Sequence, residues 1–182
     1  MATKRKFRRL RSCVGSIAVF ALCCVLLALL FPVLRHPIFL FNLLTSPPPS
    51  TLEIPVMGVQ KSQIPDSWGA PRSEGRSHKG VDIFATRGTP VLSATDGIVL
   101  RVGTNQLGGQ VINVLGPGRQ VHYYAHLDRY GAFNPGDVVY RGNILGYVGN
   151  TGNARATPPH LHYGVYDRSR GAVNPWPLLN PR

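Results

Sequence analysis

The chain has 182 residues, enough for one domain of ordinary size and a short additional segment. Its 20 glycines and 16 prolines, with only 15% charged residues, argue against a helical bundle and favour short strands joined by turns. The net charge of +12 is unevenly distributed, because six of the 20 basic residues precede residue 12. Residues 51–182 carry thirteen Lys/Arg against eight Asp/Glu without clusters, which does not predict a nucleic-acid-binding protein.

The amino-terminal segment predicts a membrane anchor. Residues 14–31 carry no charge, and a helix of that length spans about 27 Å, close to the roughly 30 Å hydrocarbon core of a bilayer. We assign residues 1–13 to a basic cytoplasmic tail and residues 14–34 to the transmembrane helix. The positive-inside rule then places the rest of the chain outside the cytoplasm, attached to the membrane by a single span.

Two other export signals fit the segment less well. A cleaved signal peptide needs a small-x-small site after the apolar run, where this chain has Leu29, Leu30, Phe31 and Pro32. A lipoprotein anchor needs a small residue before its cysteine, but Leu22 precedes Cys23. We therefore expect an uncleaved anchor.

The remaining chain divides into a proline-rich connector, residues 35–66, and a domain, residues 67–182. All three cysteines, Cys13, Cys23 and Cys24, lie in or beside the anchor. The exported part therefore has no disulfide and no cysteine zinc site, and a metal there must be held by histidines and carboxylates.

The sequence of the domain predicts a mainly β structure. Seven segments rich in Val, Ile, Tyr or Leu alternate with Gly-, Asn- and Pro-containing turns; they are residues 80–84, 90–94, 97–102, 110–115, 120–126, 143–148 and 160–166. Spacing of this kind predicts a compact antiparallel β domain, curled or sandwich-like.

Two histidine patterns could supply metal ligands. One is His78 followed four residues later by Asp82, and the other is His160-Leu161-His162 inside a predicted strand. Because strand side chains alternate, His160 and His162 face the same way and Leu161 faces the core. Imidazole and carboxylate are both zinc ligands, but either pattern alone is a weak signal.

Taken together, the motifs resemble those of the lysostaphin-type zinc peptidases. They match in order and spacing over residues 56–176, and they are residues 78–82, Arg87-Gly88-Thr89-Pro90-Val91, Asp96-Gly97, Tyr124-Ala125-His126-Leu127, Gly149-x-Thr151-Gly152 and residues 159–163. One departure is Thr157-Pro158-Pro159 before His160, where many members have a Thr-Gly turn. Proline fixes the backbone there, so we expect a stiffer groove rim.

The resemblance implies a zinc endopeptidase that hydrolyses peptide bonds of peptidoglycan, in a cross-bridge or a stem peptide. It implies one Zn²⁺ per chain, held in a groove by His78, Asp82 and His162 with a fourth position open. It also implies that His126 and His160 are the catalytic pair, one accepting a proton from water and the other stabilising the oxyanion or protonating the leaving amine. Which of the two is the base stays open.

Strand parity gives further expectations around the site. His122 and Tyr124 share a strand face with His126, so both are candidates for lining the substrate groove. By the same alternation, Tyr123 and Tyr163 are expected in the core.

Other functions remain open. Some relatives of this family lack zinc ligands and act as wall-binding modules or activators of other wall hydrolases, and a metal- or carbohydrate-binding β domain is also conceivable. All five implied site positions are filled here, which favours the enzyme. The expected partners are the peptidoglycan peptide and the membrane, with no nucleic acid; no regulatory protein is identifiable from the sequence. With the anchor, the resemblance implies a single span in the bacterial cytoplasmic membrane and a domain in a periplasm.

Overall fold

The computed structural model describes the backbone of residues 2–181 and the side chains of residues 20–181 other than 27, 32, 33 and 74. The side chains of the basic tail assigned to residues 1–13 therefore lie outside the described ones. The chain forms two compact units, Met1–Phe41 and Asn42–Arg182.

A long helix, α1 (Ala2–Thr45), contains the segment expected to be an anchor. Within the described residues, no single straight helix is both long and apolar enough to cross a membrane. Only the bent pair Phe20–Phe31 and Leu34–Thr45, whose axes differ by 69°, reaches that length and composition together. Pro32 lies at the bend, and a proline inside a helix removes a backbone hydrogen bond and kinks the helix.

The second unit is built from nine strands and a short carboxy-terminal helix. The strands are β1 (Val81–Phe84), β2 (Pro90–Leu92), β3 (Gly97–Asn105), β4 (Gly109–Leu115), β5 (Val121–Tyr130), β6 (Val138–Val139), β7 (Ile144–Val148), β8 (His160–Asp167) and β9 (Gly171–Val173), and the helix is α2 (Trp176–Leu179). All seven predicted strands are present. The short strands β6 and β9 were not predicted, because two or three residues carry no readable alternation.

All strand pairs are antiparallel, which confirms the predicted class. The main sheet runs β1-β8-β5-β4-β3-β6; β9 pairs with β8, and β2 pairs with β7. Strand β5 is longer than its neighbours and changes partner along its length, pairing with β8 up to Ala125 and with β7 from Leu127. The change of partner falls at the residue between them, His126.

The core lies behind the floor of the groove described below and consists of side chains with almost no exposed area, among them Val81, Ile83, Leu127, Leu161 and Val165. Burying each such side chain contributes about 1.5–3 kcal/mol. The core is continuous over β1, β5 and β8, the three strands that carry the predicted site.

The packed unit begins earlier than the boundary at residue 67 expected from the sequence. Leu52, Val56 and Ile64, from the segment assigned to the connector, belong to the same buried cluster, and Val56 bridges to Val91 of β2. Pro48 lies so close to Gly118 that a Cβ there would come within 2.6 Å of it. The proline run is thus packed against the domain and is not a free spacer.

Candidate metal centre and catalytic groove

The floor of the groove is formed where β1, β8 and β5 lie side by side. The register pairs Asp82 of β1 with His162 of β8, and His162 in turn with Ala125 of β5. The predicted alternation holds on β8, because His160 and His162 both line the groove while Leu161 is buried in the core.

His78 precedes β1 and is fixed by the backbone before it. Its Nδ1 donates a hydrogen bond to the carbonyl oxygen of Ser67 at 2.7 Å, which leaves Nε2 as the ring atom available to a metal. Gly80 lets the His162 ring approach this segment, since a Cβ at residue 80 would lie 2.7 Å from Cε1 of that ring. A side chain at residue 80 would therefore clash with the His162 ring, which explains the glycine between His78 and Asp82.

Three potential ligand atoms converge at this point. His78 Nε2 lies 2.8 Å from His162 Nδ1, and each of these nitrogens lies 3.1 Å from Asp82 Oδ1. Ligands at 2.0–2.2 Å from a tetrahedral zinc ion lie about 3.3–3.6 Å apart, so small outward shifts would accommodate the ion. Two imidazoles and one carboxylate, nearly buried and facing one another, are a donor set that fits zinc.

Asp82 is held as a carboxylate by its neighbours. Burial raises the pKa of Asp82, but hydrogen bonds with the rings of His162 and His78 lower it more, so its pKa lies well below the ordinary 3.8. Its second oxygen, Oδ2, forms an ion pair with Arg72, and its backbone N–H donates to Ser67 Oγ at 3.1 Å. These contacts orient Oδ1 toward the two histidines, and Arg72 was not assigned a role from the sequence.

His126 occupies a break in the β-ladder of β5. Its φ of +63° lies in the left-handed region that non-glycine residues seldom adopt, and the register shifts on both sides of it. Its Nδ1 donates to the carbonyl oxygen of Thr151 at 2.8 Å, so the lone pair of the neutral ring is on Nε2. Burial, followed by repulsion from His160, lowers the pKa of His126 to about 4 despite the Thr151 bond, which keeps the ring neutral near pH 7.

His160 presents the same tautomer. Its Nδ1 donates to the carbonyl oxygen of Pro158 at 2.8 Å, and its Nε2 lies 3.9 Å from Asp82 Oδ1. The rings of His160 and His126 are 5.0 Å apart, edge to face. The two predicted catalytic histidines are thus neighbours beside the ligand cluster, each with Nδ1 fixed by a backbone carbonyl.

Thr151 links His126 to the sheet. Besides accepting from His126, it receives the backbone N–H of Gln110 at its Oγ1 and donates that hydroxyl to the carbonyl of Leu127, both at 2.9 Å. From the sequence, this threonine is only part of the Gly-x-Thr-Gly motif and has no assigned role. The structure gives Thr151 the role of a positioning residue for His126.

The expectation that His122 and Tyr124 line the groove was wrong. Both are fully buried, whereas Tyr123, expected in the core, lines the groove together with Ala125 and His126. The expectation required side chains to alternate without a break from residue 122 to residue 126. The irregularity at His126 instead places this residue on the same side of the strand as its neighbour Ala125. Tyr163 is buried, as predicted.

The groove has a volume of about 980 Å³ and is lined on either side of the ligand cluster by two different segments. One is residues 72–79, with Arg72, Arg76 and Lys79, which leads into β1 at one side of the floor. The other is the β3–β4 turn, residues 105–108, hydrogen-bonded to the loop before β8 through Asn153.

Such a groove, with a three-ligand metal set beside two histidines poised for proton transfer, is typical of a metallohydrolase. The chain belongs to peptidase family M23, whose model matches residues 76–175. The resemblance to lysostaphin-type peptidases drawn from the motifs is thereby confirmed.

Individual relatives agree with this assignment. The chain is 38% identical over 124 residues to the L-Ala–D-Glu endopeptidase of Bacillus subtilis (strain 168), covering 62% of this chain and 38% of the relative. It is 37% identical over 110 residues to the glycyl-glycine endopeptidase ALE-1 of Staphylococcus capitis, covering 58% and 30%. The chain thus spans about a third of the length of these two relatives.

Solved structures give the same result. The catalytic domain of the antimicrobial peptidase lysostaphin from Staphylococcus simulans superposes with a TM-score of 0.56 at 31% identity, over 63% of this chain and 89% of that one. The similarity covers the β domain that carries the groove.

Proposed function

We propose that this protein is a zinc-dependent endopeptidase that hydrolyses peptide bonds of peptidoglycan, in a cross-bridge or a stem peptide. The observation that carries the proposal is the triangle of His78 Nε2, Asp82 Oδ1 and His162 Nδ1 beside the paired rings of His126 and His160. The names of the relatives support the substrate, since they describe endopeptidases for L-Ala–D-Glu and glycyl-glycine bonds.

The metal-ligand residues and the two neighbouring histidines have different roles in this proposal. His78, Asp82 and His162 would hold one zinc ion, which when bound would supply Lewis-acid chemistry by polarising the scissile carbonyl and lowering the pKa of a water molecule. His126 and His160 each offer Nε2 for proton transfer, because the carbonyls of Thr151 and Pro158 retain the proton on Nδ1. One ring accepts the proton of the attacking water at Nε2, and the other, when it carries a proton on Nε2, stabilises the oxyanion or donates that proton to the leaving amine.

The test is turnover of purified cell wall by the full chain in detergent, with zinc content measured on the same sample. We expect about one zinc per chain, soluble muropeptides in the digest, and loss of activity with chelator that is reversed by zinc. The His162→Ala variant is the matched control. Stoichiometric zinc without any cleavage would instead support a wall-binding module, and full activity in metal-stripped protein would exclude the mechanism.

We also propose that residues 14–34 attach the enzyme to the cytoplasmic membrane as a single span, with the β domain outside. The support is the uncharged run at residues 14–31 and the six basic residues before it. A reporter that is active only after export, fused to the carboxy terminus of the full chain, should be active in the membrane fraction. Activity of a cytoplasm-only reporter at the same position would contradict this topology.

A further inference from the structure

Both hydrogen bonds that fix the tautomers of the catalytic histidines end on the loop between β7 and β8, residues 149–159. His126 donates to the carbonyl oxygen of Thr151 near the start of this loop, and His160 donates to that of Pro158 near its end, both at 2.8 Å. We call residues 149–159 the carbonyl loop. The position of one carbonyl relative to the other therefore determines how the two rings face each other.

The start and the end of the carbonyl loop are attached to the sheet differently. At the start, the hydroxyl of Thr151 is hydrogen-bonded to the backbones of both β4 and β5, at 2.9 Å. At the end, the carbonyl oxygen of Pro159 accepts a long backbone hydrogen bond from Ala85, at 3.4 Å. A backbone bond from His160 to Gly149, at 3.0 Å, closes the loop. The carbonyl that fixes His160 therefore needs a further link to the carbonyl that fixes His126.

The side chain of Asn150 joins the start of the loop to its end. Its Nδ2 donates to the carbonyl oxygens of Arg155 at 3.2 Å and Thr157 at 3.4 Å, just before the second carbonyl. Its Oδ1 accepts a hydrogen bond from the guanidinium of Arg87. Because a guanidinium only donates, this contact fixes which way the amide of Asn150 faces and directs its NH₂ group at the two carbonyls.

Arg87 connects this amide to the strand that carries His126. Its Nη1 donates to Asp128 Oδ1 at 2.5 Å, and Asp128 follows His126 by two residues on β5. Arg87, Asp128 and Asn150 are not among the described residues that line the groove. These three side chains therefore affect the groove through the backbone that they hold.

We propose that Asn150 is a positioning residue that sets the placement of the His160 ring relative to the His126 ring by joining the two ends of the carbonyl loop. This inference rests on the proposed function, because it concerns the two rings that transfer protons there. The amide is suited to this role because it accepts from Arg87 and donates to backbone carbonyls at the same time. A carboxylate of the same shape accepts but does not donate.

Asn150→Asp is the first test, since it keeps the acceptor for Arg87 and places an oxygen against two carbonyl oxygens. We expect kcat for wall hydrolysis to fall by about tenfold or more at unchanged zinc content, because misplacing a catalytic group by about 1 Å can cost about a hundredfold. Asn150→Gln, which keeps the amide on a longer side chain, should lose less. Asn143→Asp is the matched control: it lies outside the groove lining, its Oδ1 accepts the backbone N–H of Tyr140, and it should match the parent.

Ring ¹⁵N NMR of the zinc-loaded full chain in detergent, with labelled histidine, tests the inference independently of turnover, because it reports which ring nitrogen carries the proton. In the parent, the rings of His126 and His160 should both be protonated at Nδ1. In Asn150→Asp the His160 signals should shift toward the other tautomer, while those of His122 in the core stay unchanged. This shift would support the inference even for a chain that does not cleave cell wall and so fails the proposed function.

Arg87→Gln gives a second test that leaves Asn150 in place. It removes the guanidinium that orients the amide, so kcat and the His160 signals should change in the same direction as in Asn150→Asp but less. Ring signals like those of the parent in both variants would overturn the inference, whatever the change in kcat, while leaving endopeptidase activity intact. Loss of zinc from Asn150→Asp would also overturn it, since the side chain would then act through the metal ligands.

Discussion

The two faces of strands β5 and β8 both carry histidines, but the surroundings of these histidines differ. On the groove side, the rings of His126, His160 and His162 lie close together, and ring nitrogens of His160 and His162 lie 3.9 Å and 3.1 Å from Asp82 Oδ1. On the core side, His122 is fully buried and hydrogen-bonds through Nδ1 to the Tyr163 hydroxyl at 2.6 Å. The groove side concentrates ligand atoms that need a partner from solution, whereas on the core side the Nδ1 atom of His122 is paired within the fold.

The comparison shows that residue type does not distinguish a catalytic histidine from a structural one on the same strand. His126 and His122 are four residues apart, and burial lowers the pKa of both rings to about 4. What differs is the surroundings: His126 adjoins the ligand cluster at a break in the ladder, whereas His122 lies in the regular part of the ladders with β4 and β8. The substitutions predicted below each change a residue on either the groove side or the core side.

The largest effect is expected from removing a ligand. His162→Ala should lose most of the bound zinc and reduce wall hydrolysis to background, because two ligands cannot hold a catalytic ion. It should also abolish the rise in melting temperature that zinc gives the parent. Zinc per chain, initial rate and thermal midpoint with and without zinc are the measurements, and retention of zinc by this variant would reverse the assignment of roles on β8.

The catalytic pair should separate metal binding from turnover. His126→Ala and His160→Ala should keep their zinc while losing about 10²–10⁴-fold in kcat, the usual range for a general acid or base. His122→Ala is the control from the other face and should stay within about tenfold of the parent. Equal losses in all three variants would show that the groove side and the core side are not functionally distinct.

Arg72 should have a smaller effect that appears first in metal affinity. Arg72→Ala removes the partner of Asp82 Oδ2, and loss of a residue that orients a ligand typically weakens metal binding by about 10–100-fold. Arg72→Lys, which keeps the charge without the planar fork, should be intermediate. Competition with a chelator measures the zinc affinity; Arg168→Ala, an exposed arginine of the β8–β9 turn, should match the parent.

The smallest effect concerns pH and the core side. The pKa of His122 falls from 6.5 to about 4 because burial disfavours the charged ring, and its buried Nε2 has no hydrogen-bond partner in the described part of the chain. The unfolded chain therefore binds this proton first, so the folded state loses stability as the pH falls from 6.5 toward 4. His122→Gln removes this titration and should reduce the loss between pH 7 and pH 5 by about 2 kcal/mol at most.

Urea unfolding of the parent and His122→Gln at the two pH values measures that difference. His126 shifts in the same direction and remains in both proteins, so some pH dependence should persist in the variant. Identical pH dependence in the two proteins would mean that His122 is not held neutral by the fold.

The sequence alone predicted the fold class, the seven main strands and the candidate residues of the site. Period-two alternation placed His160 and His162 on one face with Leu161 behind them. This feature is local, because the pattern of a single strand already specifies which side each residue faces. The resemblance of the motifs to lysostaphin-type peptidases added His78 and Asp82 as candidate ligands.

Tertiary structure decided the rest. The break in the β5 ladder falls at His126, where β5 leaves β8 and joins β7, and no local sequence pattern predicts this change of partner. Alternation counted back from His126 fails across the break, so the sides expected for His122, Tyr123 and Tyr124 were the reverse of those observed. The pairing of Arg72 with Asp82 and the packing of Leu52 and Val56 into the core likewise join segments that alternation within one strand cannot relate. Contacts between distant segments set these outcomes, and they form only when the sheet is assembled.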